Sequence, residues 1–128
     1  MKKLSFIMLL IIFSCKGNEH KEIIGFINDI KISMNQGDIE KFKNSSLDPY
    51  ENNFLFMHHY NEGFLESKEG EPVKSYFKKI GITDNNNITN ILFMGLHRSL
   101  NNEKLELEAL IQSTIDIQAR RLNLNKNP

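Results

Sequence analysis

Ten nearly unbroken apolar residues, Leu4 to Phe13, stand between a short basic start, Met1-Lys2-Lys3, and the only cysteine of the chain, and they set how much of it is left to fold. A basic start, an apolar run of this length and a small residue at its end, here Ser14 before Cys15, are the parts of a secretory signal. A membrane-crossing helix needs about 20 apolar residues. This run is half that length and is followed at once by Lys16-Gly17-Asn18-Glu19-His20. Read instead as the first helix of a cytosolic domain, the stretch would make Lys2-Lys3 and Ser14-Cys15 coincidences.

The residues Ile12-Phe13-Ser14-Cys15 resemble a bacterial lipobox. Phe13 is the least typical of them. The resemblance implies cleavage before Cys15, a diacylglycerol on its sulfur, palmitate-type acyl chains, and a chain tethered by lipid to a membrane of the bacterial cell envelope. Lys16 in place of an aspartate argues against inner-membrane retention, so the outer membrane is expected where there are two. Four parts follow: residues 1–14 as lipoprotein signal peptide, 15–20 as lipidated cysteine and short tether, 21–122 as the folded domain, and 123–128 as a flexible tail. Lys16 to Lys21 spans about 20 Å when extended, which keeps the domain close to the bilayer.

With the cysteine used by the anchor, no disulfide is available and packing alone must hold the domain. Removing residues 1–14 leaves 114 residues, enough for one core and too few for two. The whole chain balances 16 basic against 16 acidic residues, and losing Lys2 and Lys3 leaves 14 against 16, a net charge of −2. Nucleic acid is not expected as a partner, because such binding needs clustered Lys and Arg.

Apolar spacing then predicts an all-α fold, a compact single-domain bundle of about six helices, several short. The first runs from Glu19 to Met34, with Ile23, Ile24, Ile27, Ile30 and Met34 on one stripe. Gly37 closes it, and Asp38 caps a short second helix through Ile39 and Phe42. Asn44 to Pro49 reads as a loop. A third helix covers Asn52 to Glu62, ended or kinked by Gly63. Glu66 to Glu71 is a charged loop, and Pro72 opens a helix that turns Val73, Tyr76, Phe77 and Ile80 inward and stops at Gly81. Ile82 folds back beneath it. Asp84 caps a helix with Ile88, Ile91, Leu92, Gly95, Leu96 and Leu100 on its buried face. Asn101-Asn102 breaks that helix, and the last one runs from about Leu105–Leu107 to Leu122 through Leu110, Ile111 and Ile115.

Two resemblances bear on this reading. A helix ending in Asn35-Gln36-Gly37-Asp38 is similar to the start of the cone-shaped α+β domains related to nuclear transport factor 2, but no run of alternating β-branched and polar residues follows to supply their sheet. The strings Met57-His58-His59, Tyr76-Phe77-Lys78-Lys79-Ile80-Gly81-Ile82, Ile91-Leu92 and Leu96-His97-Arg98-Ser99-Leu100-Asn101, with Leu107-Glu108 beyond, resemble a small bacterial helical family of unknown function. That family's pattern has a His-His element, an Arg-Asn and Gly-Leu-Trp element, a Phe-x-x-x-Gly-Ile turn, a Pro-Asp-Asp cap and a closing His-Arg-x-Leu-Asn. The second element is missing here, and Asp84-Asn85-Asn86 only partly replaces the cap. The resemblance implies a helical domain and supplies no activity.

No phosphate loop, CxxC, HExxH or GxSxG occurs, and no cofactor is expected. The candidate chemistry rests with His58, His59, Glu62, His97 and Arg98. His58 and Glu62 share a helical face, so with His97 they would offer three ligands to a zinc-type ion. His59, His97 and Arg98 are the candidates for acid–base catalysis. The plainer reading packs one histidine against a backbone partner, leaves the other in water, sets Arg98 against the dipole at a helix end, and lets Asn101 stop that helix in the left-handed conformation. Phe54, Phe56, Tyr60 and Phe64 read as core. Two functions are expected to compete: a non-catalytic, lipid-anchored module binding an envelope component or neutralising a toxin protein, and an envelope hydrolase using a His/Glu or metal site. The first is preferred, since no motif brings nucleophile, base and orienting group together.

Overall fold

In the computed structural model of the protein, the described residues are 20–45 and 63–126. The lipobox with Cys15, the helix expected over Asn52 to Glu62, and with it His58, His59 and Glu62, lie outside them. The described backbone is helical almost throughout: α1 (Lys21–Ser33), α2 (Gln36–Asn44), a helical turn at 63–66, a 3-10 turn (Lys68–Gly70), α3 (Glu71–Lys79), α4 (Asn85–Leu100) and α5 (Leu107–Lys126). The expected all-α, single-domain fold is the observed one, and no strand occurs among the described residues.

Helix α4 is the centre, touching α1, α2 and α5, while α1 also meets α3. Its burial explains this placement, since Ile88, Thr89, Ile91, Leu92, Phe93, Gly95 and Leu96 are all buried, wider than one stripe. Ile23, Phe26, Ile27 and Ile30 of α1 face it. Each such side chain stabilises the fold by about 1.5–3 kcal/mol when fully buried. A Cβ built on Gly95 would lie 2.6 Å from Ile27 Cδ1, so the missing side chain is what lets α1 approach. One turn on, Lys31 Nζ donates to Ser99 Oγ at 2.9 Å, and the matching four-residue steps show that α1 and α4 run side by side in one direction.

The helix ends follow from local chemistry. Asp84 is extended, and its side chain accepts from the backbone N–H groups of Asn86 and Asn87, as a helix start requires. Replacing it by Ala is expected to cost about 1 kcal/mol, read as a lowered urea midpoint with unchanged slope. At the end of α3, Ile82 N–H donates to Phe77 O (2.9 Å) and Gly81 N–H to Lys78 O (3.2 Å), with Gly81 at φ 93. This is a Schellman closure, and its apolar clasp is Ile82 against Phe77, both fully buried. The Phe-x-x-x-Gly-Ile string is thus a stop signal with a mechanism. The end of α4 repeats the device, with Glu103 N–H on Arg98 O (2.9 Å) and Asn102 N–H on Ser99 O (3.2 Å).

Several expectations are corrected. Asn102 (φ 56), not Asn101, takes the left-handed position, while the Asn101 side chain donates to His97 O and Lys43 O. Asn35, not Asp38, caps α2, accepting from Asp38 N–H at 2.8 Å, and Gly37 lies inside that helix. The Asp38 carboxylate instead accepts from the Asn35 amide at 3.0 Å and sits where the helix dipole favours a negative charge. Gly63 is itself helical, in the turn that carries Leu65 into the core, and the helix expected before it lies outside the described residues. The charged stretch Glu66 to Glu71 is no loop. Gly70 N–H on Ser67 O (3.0 Å) winds it into the 3-10 turn, and Glu71 begins α3. Last, the helix of the C-terminus continues past Leu122 to Lys126.

Candidate functional site

Of the residues singled out from the sequence, His97, Arg98 and Asn101 are described, and all three lie at the end of α4. His97 Nε2 donates to Ser45 O at 3.1 Å, because a carbonyl can only accept. Its Nδ1 is buried without a hydrogen-bond partner. That lone pair could ligate a metal ion, yet no group of three or more His, Cys, Asp or Glu that could hold one occurs among the described residues. Arg98 is spent on architecture: its Nη1 donates to Leu105 O at 3.1 Å, closing the turn between α4 and α5.

A different histidine stands at the centre of a polar network. His20, counted with the tether on sequence grounds, caps the start of α1 in a left-handed conformation (φ 61, ψ 28), rare for a residue with a side chain. Its carbonyl accepts from Ile23 and Ile24 N–H, both at 3.0 Å, and so launches the helix. Its ring joins two distant helices. Nε2 lies 2.7 Å from Glu108 Oε2 on α5, and Nδ1 lies 2.5 Å from the Tyr76 hydroxyl on α3. A carboxylate only accepts, so Nε2 carries a proton and, in the neutral ring, the phenol donates to Nδ1. The rings of His20 and Tyr76 meet edge to face at 5.8 Å.

The order carboxylate, imidazole, hydroxyl is the order used by acyl-transfer triads, with a phenol in place of the serine. It lets Glu108 fix the ring and lets the ring take a proton from Tyr76. The side chains differ sharply in their surroundings: His20 is 13% exposed and Glu108 72%. The pairs are separated by 56 and 88 residues in sequence, so no local spacing could have announced them.

An open groove of about 610 Å3 lies between α1 and the turn before α3, lined by Phe26, Asp29, Ser33, Phe64, Ser67 and Glu69. The two serines are turned inward on the backbone, Ser33 Oγ donating to Asp29 O and Ser67 Oγ to Phe64 O. What the groove offers a ligand is therefore an aromatic floor and two carboxylates. No family model, curated protein or solved structure matches the chain.

Proposed function

We propose that this chain is a lipid-anchored protein of the bacterial cell envelope whose helical domain is a non-catalytic binding module, acting on an envelope component or an incoming toxin protein. The observation that carries the reading is the leader itself, in which Lys2-Lys3, the apolar run to Phe13 and Ser14-Cys15 stand in the order that export and acylation require. The groove between Phe26 and Phe64 supports the binding role, since an aromatic floor with Asp29 and Glu69 suits a partner that presents an apolar side chain beside a basic one.

Replacing Cys15 by Ser is expected to leave an unprocessed precursor and to abolish incorporation of radiolabelled palmitate. Equal labelling of the two chains would refute acylation at this cysteine. A photo-crosslinker placed at Glu69 should trap one discrete envelope partner whose yield falls on Asp29→Lys; trapping indifferent to that charge would remove the groove from the reading.

A further inference from the structure

Helix α5 is longer than the core it serves. Leu107 and Ile111 are buried against the bundle, whereas Ile117, Leu122 and Leu124 are 47%, 62% and 73% exposed. At 3.6 residues per turn Leu122 continues the stripe of Leu107, Ile111 and Ile115, yet it is exposed where Leu107 and Ile111 are buried. Ile117 and Leu124, seven apart, form a second ridge with the half-buried Leu110, and Arg120 and Arg121 fall about 60° and 40° to either side of that ridge.

The charges are as uneven as the apolar residues. From Asp116 to Lys126 one acid faces three bases, Arg120, Arg121 and Lys126, in a chain neutral overall. All three bases are exposed, and none of their side chains enters an ion pair among the described residues. An apolar ridge flanked on both sides by arginines fits a surface that is apolar within and anionic at its boundary. Arginine stems can lie along the acyl region while their guanidinium groups reach the phosphates. A second copy of the helix fits less well, because parallel pairing along the ridge would set Arg120 and Arg121 against their own counterparts.

We infer that the distal half of α5 is a membrane-surface contact that lays Ile117 and Leu124 into the interface of an anionic bilayer and pairs Arg120, Arg121 and Lys126 with lipid phosphates. The inference rests on the envelope reading only in that acylation at Cys15 would bring the bilayer within reach. It gives the tethered domain a fixed face toward the membrane.

The test uses the full chain carrying Cys15→Ser, so that no acyl chain contributes, and its sedimentation with vesicles of phosphatidylcholine alone or mixed with phosphatidylglycerol. Residues 1–19 are common to every chain compared, so each variant is read against the parent below saturation, after subtracting the binding of a peptide of residues 1–19 carrying Cys15→Ser. Each basic residue near an anionic surface strengthens binding about fivefold, so Arg120→Gln with Arg121→Gln should weaken binding to the anionic vesicles about 25-fold. Binding to the neutral vesicles should hardly change. Leu124→Ser should weaken anionic binding as well, and circular dichroism should be unchanged in all variants. Equal binding of the parent and the double variant to anionic vesicles would overturn the inference. So would a vesicle-free dimer that Leu124→Ser dissolves, which would give the ridge to a second copy. Palmitate labelling reports on acylation separately, so either result can fail without the other.

Discussion

Replacing Gly70 by Ala is expected to destabilise the domain by about 3 kcal/mol, at the upper end for overpacking a core. Gly70 has no unusual backbone angles, with φ −76 and ψ −21, so the cost is purely steric. A methyl group at this position would sit 2.0 Å from the carbonyl oxygen of Leu65 and 2.6 Å from its carbonyl carbon. No side-chain rotation relieves that, since both partners are backbone. Leu65 is held by its fully buried side chain, and Gly70 by its N–H on Ser67 O. A loss of this size lowers Tm by roughly 10–20 °C in a domain of about 100 residues. Gly25→Ala is the matched control. It has no atom within 4 Å of the new methyl and lies in the middle of α1, so the change should raise stability by about 0.5–1 kcal/mol. Chemical denaturation of the two variants should move in opposite directions; a Gly70→Ala protein as stable as its parent would mean that Leu65 and Gly70 do not approach as described.

Phe77→Ala should cost more, about 4 kcal/mol. Phe77 is fully buried, packs in the core cluster of the described residues, and is the residue on which Ile82 folds back to end α3. Its removal leaves a cavity and also loosens the Schellman closure, so the two losses fall on one helix end. Domains of this size are stable by about 5–15 kcal/mol, and the variant should approach the unfolding threshold at 37 °C. Ile32→Ala, an equally hydrophobic deletion on α1 at a side chain 83% exposed, should stay within about 0.5 kcal/mol of the parent. Urea midpoints for the two variants check the contrast, and comparable losses would mean that burial is not what distinguishes these positions.

Much of the fold was legible because helical spacing and end signals agree. Ile23, Ile27, Ile30 and Met34 recur at steps of three and four and are buried as expected. Asp84 and Gly81 are placed where their chemistry demands. Phe26 falls on the same stripe as Ile23 and Ile30 and could have been read with them. The cap of α2 was harder, because Asn35 and Asp38 are both competent acceptors three residues apart and only the backbone angles decide between them. Around the polar network, legibility ended. His20 gains its partners only when α3 and α5 close on α1, and a histidine beside a tether carries no periodicity to mark it. Arg98 was expected to complement the dipole at the end of its helix, whereas its bond to Leu105 O depends on the loop returning and carries no mark in the sequence.

The glycine of the α1–α4 contact and the glycine before α3 constrain sequence drift differently. Gly95 is opposed by the tip of a side chain, Ile27 Cδ1, whereas Gly70 is opposed by main chain. Lineages descending from this chain can therefore enlarge position 95 if position 27 shortens in step, so the two should vary together. Position 70 has no such trading partner and should stay fixed.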